Sequence, residues 1–320
     1  MSAYLASSLS VLLGVGLCLT LALALGYAIA RLKPGLGSTL LAWLLVIGGV
    51  MAVDALCARE PPGFRMLALI TYGLIALKAV VVVEARKEGM GALPPLRWLA
   101  FAAWFGMRPE LFAGARLPNP RQARRLAAKG ALRLAAGTLL VCLANAAARQ
   151  SVILGTALLL IGLSLVLHFG VFNLAAAAWQ LAGFDCRSLF RAPLSSTSLS
   201  EFWGRRWNLG FNEMTALAVY RPLARRIGRQ ASVACAFLFS GLLHEMAISL
   251  PVRKGFGLPI AYFLLHGGAM LFERSARRRG RPIAGALGRV WTLLWLAVPL
   301  PLLFHASFLK GVLWPLIGID

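Results

Sequence analysis

Long apolar runs separated by short basic gaps make up most of this chain. Runs able to cross about 30 Å of hydrocarbon fall near 9–30, 38–55, 66–83, 131–148, 152–179, 232–250, 256–273 and 290–309. They predict an all-α integral membrane fold with about eight transmembrane helices. The 152–179 run is over-long, which predicts tilt or an extension beyond the bilayer. The stretch 98–112 is apolar but short and is broken by Pro109, so it reads as a re-entrant or interfacial helix. The end, 312–320, contains Pro315 and is too short to span. The first run is too long for the core of a signal peptide and predicts a retained helix. No internal repeat or low-complexity linker divides the chain, so 1–320 reads as one membrane domain.

Composition agrees with the pattern. The chain is 59% hydrophobic and only 14% charged, against about 25% charged in soluble domains. Net charge is +22, from 33 Lys and Arg against 11 Asp and Glu. The basic residues sit between the apolar runs, so topology and anionic headgroups account for most of them and nucleic acid is not implied. The gaps 31–37, 84–130, 187–231 and 274–289 hold 25 of the 33, and the opposite gaps and the tail hold six. Lys78 and Arg133 fall inside spans. By the positive-inside rule the large basic loops are cytoplasmic and the N-terminus is outside. Ala, Arg and Leu richness points, by association, to a GC-rich bacterial genome and hence an inner membrane. The five cysteines are scattered, with no Cys-x-x-Cys pair and no His at ligand spacing. They predict no structural disulfide and no zinc or iron site, and no resident cofactor is expected.

Two polar islands interrupt the apolar text. Ser198-Leu199-Ser200-Glu201 has capping-box spacing and predicts a helix start. Trp203 and Trp207, four apart, are expected to share a face of that interfacial helix, with Asn208 one step round. Arg205 and Arg206 then point toward headgroups or an anionic ligand. Pro222 is read as a break before Arg225, Arg226 and Arg229. The bland reading is an aromatic belt with snorkelling arginines. Asn208 argues for more, because burying an amide without a partner is costly.

The second island is Ser240-Gly241-Leu242-Leu243-His244-Glu245, inside an apolar run. An ionisable side chain at membrane depth is a functional candidate by default. Imidazole suits proton abstraction from an alcohol near neutral pH. Ser240 lies one turn before His244. Glu245 is rotated about 100° away, so it is expected to pair with an arginine or a neighbouring helix. His168, His266 and His305 read first as helix–helix hydrogen-bonding residues. His266 sits beside Gly267-Gly268, where it could line the same cavity.

Taken together, Ser198-Leu199-Ser200-Glu201-Phe202-Trp203-Gly204-Arg205-Arg206-Trp207-Asn208 and Ser240-Gly241-Leu242-Leu243-His244-Glu245 resemble the signatures of the wax-synthase-like branch of the membrane-bound O-acyltransferase (MBOAT) family. Arg221-Pro222 resembles the family's Arg-Pro. Trp104-Phe105-Gly106-Met107-Arg108-Pro109 is similar to an upstream family segment, with Phe105 in place of a proline. The resemblance covers roughly 190–275, within a motif-bearing stretch of 187–275. The first 90 residues match only as apolar helices, and the chain is short for the family. The resemblance implies transfer of an acyl group from acyl-CoA to a lipophilic alcohol in the bilayer. It implies His244 as catalytic base and Asn208 as the second signature polar residue. Trp203, Trp207, Ser240 and His266 are then expected around the substrates, with Arg205, Arg206 and Arg221 on the phosphates of coenzyme A.

No His-x4-Asp, His-His-x3-Asp-Gly or Gly-x-Ser-x-Gly motif is present, so direct attack on the thioester is expected, without a serine nucleophile. Three alternatives stay open. One is acylation of a glycan or secondary-metabolite hydroxyl. Another is a transporter with His and Glu as proton relay, although paired half-helices are not visible. The third is an inactive lipid-binding scaffold, against which intact Asn208 and His244 stand. Oligomeric state is not readable.

Overall fold

The computed structural model describes residues 2–114 and 117–319. Arg116, one of the basic residues of the 84–130 gap, lies outside them. Every regular element among the described residues is helical. In chain order we number α1 (Leu9–Arg31), α2 (Leu36–Leu56), α3 (Pro62–Lys87), α4 (Pro95–Ala102), α5 (Glu110–Ala113), α6 (Pro120–Ala148) and α7 (Val152–Leu181). There follow α8 (199–206), α9 (209–227), α10 (Arg229–Val252), α11 (Leu258–Arg278), α12 (Gly285–Leu303) and α13 (Ala306–Ile317).

Seven helices are long and apolar enough to cross a membrane: α1, α2, α3, α6, α7, α10 and α12. The chain is an integral membrane protein of the polytopic, all-helical kind. The eighth expected span, 256–273, is the 21-residue helix α11. It has the length, but it carries His266, Glu273 and Arg274 and is not apolar enough to count among the seven. The over-long run is one 30-residue helix, α7. The 98–112 stretch folds as α4, a turn and α5, with Trp98, Phe101, Trp104, Met107 and Phe112 buried. All five cysteines are free thiols.

Helix α3 is the centre of the fold. It is 67% buried over its apolar window, against 11–22% for α1, α2, α6, α7 and α12. It packs on α1 and α2. Helices α6 and α7 form a second close pair, where a Cβ on Gly137 would sit 2.7 Å from the carbonyl oxygen of Gly162. Small residues at that crossing let the two backbones touch.

Three of the helices contain a π-turn placed by a proline. The turns span Ala216–Tyr220, Glu245–Ser249 and Leu309–Leu313. Each is followed two residues later by Pro222, Pro251 or Pro315. A proline cannot donate to the carbonyl four residues back, and its ring crowds that carbonyl. Those carbonyls belong to Ala218, Ala247 and Gly311, all inside the widened turns. Widening the turn lets the helix run on through the proline. Pro222 therefore does not break its helix, contrary to the sequence reading; α9 ends at Gly228, whose φ is 81°.

Candidate functional site around His244

Two buried carboxylates dock the polar islands onto α11. Glu273 Oε1 accepts from the Leu199 N–H at 2.6 Å and from Trp291 Nε1–H at 3.0 Å. Its Oε2 accepts from the Ser200 N–H at 3.1 Å. The first amides of a helix have no partner within it, so a carboxylate there is well placed. Glu245 does the same for α11: its Oε1 accepts from the N–H groups of Gly257 at 2.7 Å and Ile260 at 3.4 Å. Of the two partners expected for Glu245, the neighbouring helix is the one found.

Helix α8 starts where the capping pattern places it. Ser198 Oγ accepts from the Glu201 N–H at 3.1 Å, and Glu201 Oε2 reaches back to the Thr197 N–H at 2.8 Å. The helix ends earlier than expected. Its last turn, Phe202–Arg206, is a π-turn, and Trp207 is extended. Asn208 adopts a left-handed conformation (φ 42°, ψ 63°) and caps α9, its Oδ1 accepting from the Phe211 N–H at 3.2 Å. Asparagine tolerates this region better than most residues. Trp203 and Trp207 consequently do not share a helix face. Trp207 stacks on Phe202 and packs against Phe190 and His168. Trp203 packs the other way, against Phe237, Phe263 and His266.

His244 is the last residue before the π-turn of α10. Its ring lies 4.3 Å from the Phe263 ring and 6.1 Å from that of Phe211. Its Nδ1 is 2.7 Å from the main-chain oxygen of Ser240. A carbonyl only accepts, so Nδ1 carries the proton and Nε2 is left as the basic atom. Nε2 makes no hydrogen bond among the described residues. The Ser240 hydroxyl is elsewhere, donating to the Ala236 oxygen at 3.0 Å. Only the Ser240 backbone serves His244.

His266 is fully buried, and its Nε2–H donates to the Trp295 oxygen at 2.7 Å. Its Nδ1 is buried with no partner, as is Trp203 Nε1. The two rings are 5.4 Å apart. The Phe263 ring, 5.5 Å from Trp203, also touches His244. Trp203 and His244 thus both pack on Phe263, His266 is reached through Trp203, and Asn208 is linked through the Phe211 backbone. His168 lies within 3.2 Å of Ser164 and His305 caps the Phe308 N–H, so neither joins this cluster.

The expected arginine group does not assemble. Arg206 Nε donates to Glu201 Oε1 at 2.8 Å and its Nη1 binds the carbonyls of Arg191 and Ala192. Arg221 pairs with Glu88 at 2.8 Å, and Arg205 is exposed. His244 lines neither of two recesses formed by the described residues. An apolar groove of about 670 Å³ runs between α11 and α12, with Leu265, Gly268 and Trp295 among its walls. A cationic recess of about 340 Å³ lies beside α6.

Several residues that build the site escape a reading by motif. Glu273 and Lys78 carry the signal used for His244, an ionisable group in an apolar run. Phe211 and Phe263 carry none, because aromatics are common in every span.

A family model described as "Membrane bound O-acyl transferase family" matches residues 186–265. Over 157 residues the chain is 30% identical to a long-chain-alcohol O-fatty-acyltransferase of Simmondsia chinensis, covering 43% of this chain and 44% of that protein. It is 28% identical over 168 residues to the probable long-chain-alcohol O-fatty-acyltransferase 6 of Arabidopsis thaliana, covering 43% and 49%. It is 31% identical over 147 residues to the probable long-chain-alcohol O-fatty-acyltransferase 1 of the same plant, covering 42% and 43%. These matches span less than half the length of the relatives. The matched stretch 186–265 carries Trp203, Asn208, Phe211, Ser240, His244 and Phe263, so this part of the chain is similar to the membrane bound O-acyl transferase family and to its long-chain-alcohol members.

Proposed function

We propose that the protein transfers a fatty acyl group from acyl-CoA to the hydroxyl of a lipophilic alcohol. The observation that carries this is the hydrogen bond from His244 Nδ1–H to the Ser240 carbonyl, which leaves Nε2 as a base. Nε2 takes the hydroxyl proton as the alcohol oxygen attacks the thioester carbonyl. The C–S bond then breaks, and the leaving thiolate takes the proton back from the imidazolium. General-base help of this kind contributes about 10²–10⁴-fold. Asn208 Oδ1 is occupied by the Phe211 N–H. Its Nδ2 makes no hydrogen bond among the described residues, which makes it a donor for the developing oxyanion. Trp203 Nε1–H and His266 Nδ1, a buried donor and a buried acceptor without partners, suit a substrate hydroxyl.

The apolar groove beside His266 supports an acceptor with a hydrocarbon chain, as do the names of the plant relatives. With α11 crossing beside the seven apolar helices, the uneven sorting of Lys and Arg supports cytoplasmic basic loops and an outside N-terminus. Composition supports a bacterial inner membrane.

The test is thiol release from a panel of acyl-CoAs by purified protein, with pooled long-chain alcohols, diacylglycerol and sterol, beside His244→Ala. Ester from the wild type and none from the variant is the expected result. Equal thiol release by both would remove His244 from the chemistry. Release by neither would overturn the lipophilic-acceptor reading.

A further inference from the structure

Four cationic side chains converge on the second recess. Arg125 and Lys129 come from the first turns of α6, and Arg187 and Arg191 from the segment after α7. Arg125 and Lys129 are four apart on one helix face, a spacing at which like charges destabilise each other. No carboxylate lines the recess. Asp185 pairs with Arg187 at 2.9 Å from outside it. Arg125 and Lys129 make no ion pair among the described residues, and Arg191 makes none within 4 Å, although the buried Glu213 carboxyl lies near enough to feel its charge.

Topology explains the sign of a loop but not this convergence. The positive-inside bias acts on the total charge of each segment. It does not bring two segments about sixty residues apart in sequence to one recess. The wall is also anchored. The Arg191 N–H donates to the Arg206 oxygen at 2.8 Å, and the Leu209 N–H to the Leu189 oxygen at 2.9 Å. The recess is therefore tied to the Trp207–Asn208 corner rather than carried on a free loop.

We propose that this recess binds a phosphate-bearing ligand, with Arg125, Lys129 and Arg191 as its cations. Guanidinium forks match phosphate oxygens in geometry and charge, and a multiply charged anion relieves the repulsion among the cations. A volume of about 340 Å³ leaves room for a phosphate or diphosphate group. The phosphate could be that of a soluble acyl carrier such as coenzyme A or that of an anionic lipid headgroup. Only identification with the acyl carrier rests on the acyltransferase reading; the anion site does not.

The experiment uses the full chain and needs no turnover. Binding of coenzyme A is measured in neutral detergent, with pyrophosphate as competitor. Retention of phosphatidylglycerol over phosphatidylcholine is measured in mixed nanodiscs. Wild type is compared with Arg125→Gln/Lys129→Gln, which alters two exposed side chains. Arg277→Gln/Arg278→Gln at the end of α11 removes the same charge elsewhere. At least tenfold weaker coenzyme A binding in the first variant, with less than twofold in the control, supports the site and assigns the soluble source. Loss of phosphatidylglycerol preference alone supports the site and assigns the headgroup. Equal effects of the two variants on both ligands would overturn the proposal. Coenzyme A binding that persists in an inactive protein keeps this result separate from failure of the acyl-transfer reading.

Discussion

The main-chain oxygen of Ser240 lies 2.7 Å from His244 Nδ1, while the Ser240 hydroxyl faces the Ala236 carbonyl. The two halves of Ser240 therefore predict different outcomes. His244→Ala should lower kcat by about 10²–10⁴-fold, the range of a lost general base. Ser240→Ala keeps the carbonyl and should leave kcat close to wild type, at a stability cost of about 0.5–1.5 kcal/mol for one lost hydrogen bond. Steady-state rates and melting temperatures of both variants check this. A Ser240→Ala protein as inactive as His244→Ala would place the hydroxyl in the chemistry.

Asn208 combines a structural and a chemical duty, and substitution separates them. Asn208→Asp retains an oxygen for the Phe211 N–H and so keeps the cap. It removes the side-chain N–H donors and adds negative charge where an oxyanion would form. The expected result is an unchanged melting temperature with kcat down about 10²–10³-fold. Asn208→Ala loses the cap, about 1 kcal/mol, and places alanine at φ 42°, so it should also melt earlier. Full activity in a stable Asn208→Asp protein would confine Asn208 to capping.

Much of this was readable in the residues, and the failures have physical causes. The apolar runs mark the spans because lipid demands apolar length. The count slips at α11, where His266 and Glu273 face protein partners instead. The start of α8 is readable because capping is local chemistry. Its end is not, since a π-turn and a left-handed Asn208 replace the regular spacing that would have put Trp203 and Trp207 on one face. Arginine partners are the least readable feature. Arg221 meets Glu88 across 133 residues of sequence, a contact that only the tertiary fold creates. The π-turns before Pro222, Pro251 and Pro315 are not readable in the sequence, where Pro222 suggests a break, because a proline alone does not say whether a helix stops or widens.

Pro251 should matter to the site through the turn that precedes it. It holds open the turn that begins at Glu245, the residue directly after His244. Pro251→Ala restores an N–H for the Ala247 carbonyl and lets the turn tighten. Tightening would rotate Glu245 away from Gly257 and Ile260, and His244 would shift with it. Displacements near 1 Å can cost about 10²-fold, so a drop of about that size in kcat is expected, with helix content by circular dichroism unchanged. Wild-type kcat would show that the π-turn does not set His244.

Lys78 is buried in the middle of α3 with 1% of its surface exposed, and its ammonium sits 4.1 Å from the Phe101 ring. Nζ donates to the carbonyls of Trp104 at 2.6 Å and Gly106 at 2.5 Å. Gly106 in turn meets α9, where a Cβ on Gly210 would lie 3.0 Å from the Gly106 Cα. Lys78 thereby holds the loop that seats the helix carrying Phe211. Lys78→Met keeps the apolar stem but leaves two buried carbonyls unsatisfied, costing about 1–3 kcal/mol each. The expected outcome is a lower melting temperature and weaker activity together. An unchanged melting temperature would mean that water replaces the ammonium at no cost.

Glu213, on α9 outside the spans, should give stability a pH dependence. Burial raises its carboxyl from the ordinary 4.5 to about 7. Arg108 and Arg191 act in the opposite direction and Glu110 in the same one, and burial wins. Between these two values the folded protein keeps a proton that the unfolded chain has released. The unfolded state binds fewer protons there, so stability falls as pH rises. This contribution is complete below about 4.5 and gone above about 7. Glu213→Gln cannot ionise, so it should melt higher than wild type at pH 8 and lose the decline between those values. Melting curves in detergent from pH 4.5 to 8 test this; parallel curves for the two proteins would assign the dependence to another group.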